Sequence, residues 1–199
     1  MAIVVEHEKR KKEILDKALD LFMENGYEDV TFQKIADKCG VTRTTLYIYF
    51  KNKKEIFAWS IKQLTNEIES SLLKIIDNRD LSYEERLKSV LHTILQKCVD
   101  NYRLFVITLT YLLQLKNTGK DTKKIVQRRI IRLRHLLSTV IIDGITSGNF
   151  KKVNVHEANE LIFNLIEAAV FKLTVFGPQD IQALQKSFDL TVSALLLEK

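Results

Sequence analysis

Apolar residues recur at spacings of three and four along nearly the whole chain, the period of α-helices that each bury one face. In the run 31–53, TFQKIADKCGVTRTTLYIYFKNK, the residues Phe32, Ile35, Ala36 and Cys39 make a short amphipathic helix behind Thr31, a hydroxyl N-cap residue. Gly40 stands where the chain must leave that helix with a left-handed backbone, and Val41 turns back toward the core. Thr42 caps a second helix with two unlike faces. Thr45, Leu46, Tyr49 and Phe50 lie on one side, Arg43, Thr44, Tyr47 and Ile48 on the other. The second set faces outward, so the pattern predicts two short helices hinged on a glycine, a helix-turn-helix.

Six further helices follow, over 53 to 77, 83 to 100, 102 to 117, 121 to 147, 155 to 176 and 179 to 197, with Pro178 as a favoured opening residue of the last. Ser82 and Glu85 form an S-x-x-E capping box. The helix from 121 has its apolar stripe at Val126, Ile130, Leu133, Leu137, Val140 and Ile141, and its other side is basic, a solvated face by default. Leu161 to Phe176 is apolar almost all round, and such a helix must be buried all round. With the stripe Ile181, Leu184, Phe188, Val192 and Leu195, it predicts a helix pair that completes its core against the same pair of a second chain. The expected fold is all-α with about nine helices. A three-helix headpiece over 1–52 precedes a larger helical domain for ligand sensing and dimerisation over 53–199, the homodimer forming through 155–176 and 179–197.

The outward face of the second short helix combines a bidentate guanine reader, a hydroxyl, an aromatic and a branched apolar group able to touch a thymine methyl, the set a DNA groove requires. Charge points the same way. Residues 31–54 carry a net +5, with Asp37 the one acid, whereas 13–29 carry −5. The candidate DNA-binding residues are Thr31, Thr42, Arg43, Thr44, Thr45, Tyr47, Ile48, Tyr49, Lys51 and Lys53. Arg43 and Thr44 would read bases with Ile48 on a methyl, while Thr31, Thr42, Tyr47, Tyr49, Lys51 and Lys53 would hold phosphates.

These residues resemble a known family. Asn25-Gly26-Tyr27, Val30-Thr31, Ile35-Ala36, Cys39-Gly40-Val41 and above all Leu46-Tyr47-Ile48-Tyr49-Phe50-Lys51-Asn52-Lys53, followed by Glu55 and Phe57, are similar to the N-terminal domain of TetR-type (tetracycline-repressor-like) transcriptional regulators. Thr44 and Cys39 stand where members often carry glycine and a small residue, which makes the base-reading surface bulkier. The resemblance implies a regulator, most often a repressor, that grips a palindromic double-stranded operator as a dimer. It also implies release by a small apolar or amphipathic molecule that displaces the helix leading out of the headpiece, here the one carrying Phe57, Trp59, Ile61 and Leu64. Candidate pocket residues are Trp59, Phe105, Leu109, Tyr111, Phe163 and Phe171, with Glu167 as an acid in an apolar stretch.

Composition narrows the alternatives. Of 199 residues, only one is proline and six are glycine, which favours helix nearly throughout. Hydrophobic content of 46% with a mean hydropathy of −0.07 is that of a soluble globular protein. The formal charge of +6 permits nucleic-acid binding without requiring it. No secretory or bilayer-spanning segment is legible, and the expected location is the cytoplasm with no membrane partner. Cys39 and Cys98 are expected as two reduced, buried thiols. No cofactor or metal is expected. Val4, Ser89, Arg132 and Val153 stand three residues before the four histidines, so no Glu-x-x-His di-iron motif exists, and no nucleophile or nucleotide motif accompanies them. An enzyme is thereby disfavoured. The alternative is a helical interaction or scaffold protein with weak, non-specific DNA binding.

Overall fold

The computed structural model describes residues 2–177 and 181–197; the side chains of residues 2–4, 125, 128 and 129 fall outside that description. Among the described residues there are nine helices: α1 (Ala2–Asp29), α2 (Phe32–Cys39), α3 (Arg43–Tyr49), α4 (Lys53–Ile76), α5 (Tyr83–Asp100), α6 (Tyr102–Asn117), α7 (Thr122–Thr146), α8 (Val155–Phe176) and α9 (Gln182–Leu195). The all-α expectation is met. Gly26, with φ 78°, interrupts α1, so the segment is two helices run together across a kink.

Local chemistry sets the ends. Thr31 Oγ1 accepts from the Lys34 amide at 3.1 Å, and Gly40 closes α2 at φ 67°, ψ 36° while the Val41 amide reaches back to the Ala36 carbonyl. Thr42 Oγ1 accepts from the Thr45 amide at 3.1 Å to open α3, and Asn52 Oδ1 accepts from the Glu55 amide at 2.9 Å to open α4. The Ser82–Glu85 capping box is formed in both directions. Those hydrogen bonds to Ser82 hold the Glu85 carboxyl below the usual range.

Among the described residues, four helix bounds differ from the sequence expectation, two of them by one residue where α4 ends at Ile76 rather than 77 and α7 at Thr146 rather than 147. Asp121 caps α7 rather than beginning it, its carboxylate accepting from the Lys124 amide at 3.1 Å. The last helix stops at Leu195 instead of 197, because Leu196 pairs with Phe150 as an isolated antiparallel bridge and the Lys151 amide donates to the Leu195 carbonyl at 2.8 Å. Pro178 and the expected start at 179 lie outside the described residues.

Packing yields two cores. The body core joins Leu72 of α4, Leu87, Leu91 and Leu95 of α5, Leu137 and Ile141 of α7, Ile162 and Phe163 of α8, and Phe188 and Val192 of α9. The headpiece core gathers Ile14, Phe22, Ile35, Leu46 and Phe50, but also Ile56 and Phe57 of α4 and Leu104 and Ile107 of α6. Helix α6 therefore belongs to both halves. Gly144, the one glycine inside a helical pattern, lies under the Phe150 ring, which a methyl group at that position would overlap.

Helix α8 is only half covered. Ile162, Phe163, Ile166, Ala169 and Leu173 fill the core, whereas Leu161, Phe171 (57% exposed), Val175 and Phe176 stay uncovered, as do Leu190 (72%) and Leu197 at and just beyond α9. Asn159, the buried polar residue of α8, donates from Nδ2 to the Arg134 carbonyl at 2.8 Å and to Ser138 Oγ at 2.5 Å, pinning α8 to α7.

Candidate nucleic-acid interface and effector sites

Leu46 is fully buried and fixes the roll of α3, so the opposite side of that helix must face out. Arg43, Thr44, Tyr47 and Ile48 are all exposed, Ile48 to 69%. A branched apolar group at the crest of a basic headpiece is unfavourable in water and suited to a groove wall. Arg43 Nη2 donates to the Tyr47 hydroxyl at 3.2 Å, and the Tyr47 ring packs on Phe32 at 4.7 Å, so α2 braces the arginine through the tyrosine.

The other candidate DNA-binding residues divide by what holds them. Thr31 and Thr42 are exposed caps, and Lys51 has an exposed side chain while its amide donates to Glu55 Oε2 at 2.6 Å. Thr45 is half-buried, its hydroxyl 2.8 Å from that of Thr42. Tyr49 is half-buried beneath His7 of α1, the rings stacked at 4.7 Å. Lys53 differs from the free phosphate-reaching amine expected of it. Its ammonium donates to the carbonyls of Tyr27 at 2.8 Å and Glu28 at 3.2 Å and sits 4.4 Å from the Tyr27 ring centre, closing the end of α1. The field is also partly spent inside the headpiece: Lys34 donates to the Asp29 carbonyl, and Lys38 lies 3.5 Å from Glu24.

The seven candidate pocket residues do not converge. Trp59 and Tyr111 pack on the headpiece core, Lys11 and Lys62 lying over the Trp59 ring at 3.9 and 4.4 Å. Phe105 packs half-buried against the body core and Phe163 lies within it. Leu109, Glu167 and Phe171 are exposed. Periodicity places a residue on a face but does not say which faces meet, and here aromatic spacing marked core and uncovered surface together.

Tyr111 has a different place. Its ring lies 4.7 Å from Tyr27 and 5.2 Å from Phe57, both of which pack on Phe22, so α1, α4 and α6 meet in one aromatic cluster. Burial pushes the Tyr27 phenol up to about 12 and raises that of Tyr111. Nearby, the Lys54 ammonium stands beside Lys120 of the α6–α7 turn, which lowers its pKa.

Two clefts open on the surface. One, of about 630 Å³, lies between the end of α4, the start of α5 and α7, lined by residues including Tyr83, Arg86 and Asp143; the other, of about 390 Å³, lies between α1 and the α5–α6 junction. Sequence reasoning missed both, since a linear pattern does not reveal where elements distant in sequence leave a gap between them. Part of the basic face of α7 is paired: Lys124 with Asp121, Arg132 with Glu69, and Arg134 with Glu160 while its guanidinium covers Phe163 at 4.1 Å. Arg128 and Arg129, also expected there, have side chains outside the described residues. Burial pushes the Cys98 thiol up to about 12 and raises Cys39. Among the described residues, no helix is long and apolar enough to cross a membrane, and no cluster of three or more potential ligands could hold a metal ion.

The family model for bacterial regulatory proteins of the tetR family matches residues 14–58. The fatty acid metabolism regulator protein of Bacillus subtilis is 26% identical over 166 residues, covering 82% of this chain and 84% of its own. The negative transcriptional regulator IcaR of the biofilm operon in Staphylococcus epidermidis is 33% identical over 73 residues, 37% of this chain and 38% of its own. Among solved structures, the transcriptional regulator FadR of Bacillus subtilis in complex with stearoyl-CoA superimposes with a TM-score of 0.75 at 26% identity, over 92% of this chain and 98% of that one.

Proposed function

The chain belongs to the TetR-type family of transcriptional regulators and regulates transcription by binding DNA, and from that premise we propose how its parts divide the work. The protein is a repressor that reads a palindromic operator as a homodimer in the cytoplasm. The observation that carries this is the outward face of α3, where Arg43, Thr44, Tyr47 and Ile48 stand exposed on a helix anchored by buried Leu46. Arg43 and Thr44 read base edges and Ile48 meets a thymine methyl, while Thr31, Thr42, Tyr47, Tyr49 and Lys51 hold the backbone and fix register. Thr45 supports Thr42, and Lys53 locks α4 to the end of α1.

One recognition helix makes too few contacts for operator-level specificity, and two on a symmetric frame read half-sites about one duplex turn apart. The uncovered residues Leu161, Phe171 and Val175 of α8 and Leu190 of α9 support a frame in which these helices pack against their copies. An apolar surface of that kind is costly in water and stabilising once paired.

The effector is an amphipathic molecule with a long acyl chain. Support comes from the fatty acid metabolism regulator of Bacillus subtilis and from FadR in complex with stearoyl-CoA, each 26% identical to this chain. Release works through α4 and α6. Leu104, Ile107 and Tyr111 of α6 insert into the headpiece core, so a ligand that shifts the body helices must move the headpiece as well. Moving a population from mostly bound to mostly free takes roughly 5 kcal/mol of preference for the DNA-incompetent state. Fluorescence anisotropy of labelled operator DNA tests this: palmitoyl-CoA should dissociate the complex in a saturable manner, and unchanged binding at all concentrations would refute the proposed effector.

A further inference from the structure

We infer that the turn between α6 and α7 is a second DNA contact, in which Lys120 joins Lys54 of α4 on a backbone phosphate beside the groove that α3 enters. The inference rests on the operator-binding reading above and adds a contact made by the body rather than by the headpiece.

The turn arrives there because α6 runs along α1. Tyr102, its first residue, lies with Asp20, Met23 and Glu24 at the smaller cleft, and Tyr111 stands 4.7 Å from Tyr27, just past the kink in α1. Tyr111 is also 5.2 Å from Phe57, near the start of α4. Beyond it α6 ends at Asn117, Gly119 turns the chain with φ 76°, and the Lys120 amide closes the turn on the Leu115 carbonyl at 3.2 Å. The Lys120 ammonium then stands beside that of Lys54 and lowers its pKa. Lys54 is the second residue of α4, and no more than about 18 Å of chain separates it from Tyr49 at the end of α3.

Two ammonium groups side by side repel one another unless an anion lies between them. Both lysines are exposed, and among the described residues neither has a carboxylate within 4.0 Å. Lys51, Lys116 and Lys123, exposed around them, are likewise without one, whereas Lys124 lies 3.5 Å from Asp121. Lysines that merely solvate one helix can spread apart in water; here two elements distant in sequence hold theirs together. A small anion would neutralise the pair and leave the surrounding lysines unanswered. A duplex gives the pair one phosphate and, along the same backbone, further phosphates to its neighbours.

The contact also ties DNA to the body. Leu104, Ile107 and Tyr111 of the same α6 pack in the headpiece core, so a displacement of α6 withdraws Lys120 from the phosphate as it disturbs the headpiece.

Fluorescence anisotropy of the full-length protein tests the contact on two duplexes, one of random sequence and one enriched from a random pool. On both, Lys120→Gln should weaken binding roughly two- to fivefold per protomer, the worth of an exposed ion pair, and flatten the slope of log affinity against log salt by about one ion per protomer. Lys120→Arg should keep the slope. The thermal unfolding midpoint of Lys120→Gln should be no lower than that of wild type, since the substitution removes a repulsion. Replacing single phosphates of the enriched duplex by neutral methylphosphonates locates the contact: one position per half-site should matter to wild type and to Lys51→Gln but not to Lys120→Gln. An unchanged slope and phosphate scan for Lys120→Gln overturn the contact and leave the operator reading standing. Loss of pyrophosphate binding by Lys120→Gln with DNA affinity unchanged also overturns it, in favour of a small-anion site. If no sequence is enriched, the operator reading fails, and the slope on random DNA alone decides the role of Lys120.

Discussion

The ammonium of Lys53, the first residue of α4, donates to the main-chain carbonyl of Tyr27, the residue after the kink in α1, at 2.8 Å. A cation at a helix C-terminus satisfies carbonyls that the helix itself leaves open. The contact joins the exit helix to the headpiece it leaves. Lys53→Ala should lower the stability of the protein by about 1 kcal/mol, discounted for partial exposure, in thermal or urea unfolding. The salt dependence of DNA affinity should keep its slope, and a slope flattened by about one ion would mean that Lys53 leaves the carbonyls for a phosphate.

Arg43 should carry base recognition. Arg43→Ala is expected to cost on the order of 1–3 kcal/mol on the best operator while random DNA is bound nearly as before. Equal losses on both would make Arg43 a backbone contact. Tyr47→Phe, which removes the hydroxyl that Arg43 contacts at 3.2 Å, should give a smaller loss with the same sequence bias.

Gly144→Ala should destabilise the body by about 1–3 kcal/mol, the usual cost of overpacking, because the added methyl meets the Phe150 ring. Phe150 and Leu196 form the bridge that ends α9. The double variant Gly144→Ala, Phe150→Leu should regain part of that stability, and a fully additive loss would show that the ring is not the obstacle.

Alkaline titration should expose the buried acids. Cys39, Cys98, Tyr27 and Tyr111 all have pKa values raised by burial, Cys98 and Tyr27 up to about 12. A folded-state pKa above the unfolded one favours folding fully below the unfolded value, and that advantage is lost as pH rises through the folded value. Stability should therefore decline from about pH 9, where unfolded thiols begin to ionise, toward pH 12. Thiol reagents should modify Cys98 only as fast as the body opens, and rapid modification of the folded protein at neutral pH would contradict its burial.

The helix-turn-helix was legible because its signals are local: a threonine cap, a left-handed glycine and another threonine cap within twelve residues. The capping box at Ser82 was equally local. What eluded sequence reasoning depends on long-range contact. Tyr111 reads as a body residue, yet α6 folds back on α1 and α4 and carries it into the headpiece. Lys53 reads as a free surface cation until the end of α1 is brought beneath it. Arg86 looks like any helical arginine, and only the packed fold leaves its Nε buried without a hydrogen-bond acceptor. Phe163 and Phe171 share one apolar run, but one is buried and the other uncovered, a difference that helix roll alone decides.

Two copies of the α3 face should grip one operator on a symmetric frame. Selection of bound sequences from a random double-stranded DNA pool, read for the wild type and for Phe171→Glu, tests it most directly. Wild type should enrich an inverted repeat with half-site centres about one helical turn, roughly 10 base pairs, apart. Phe171→Glu, by placing a charge on the uncovered face of α8, should lose the repeat and retain at most a weak half-site. Enrichment of no motif, or of the same single half-site by both proteins, would contradict it.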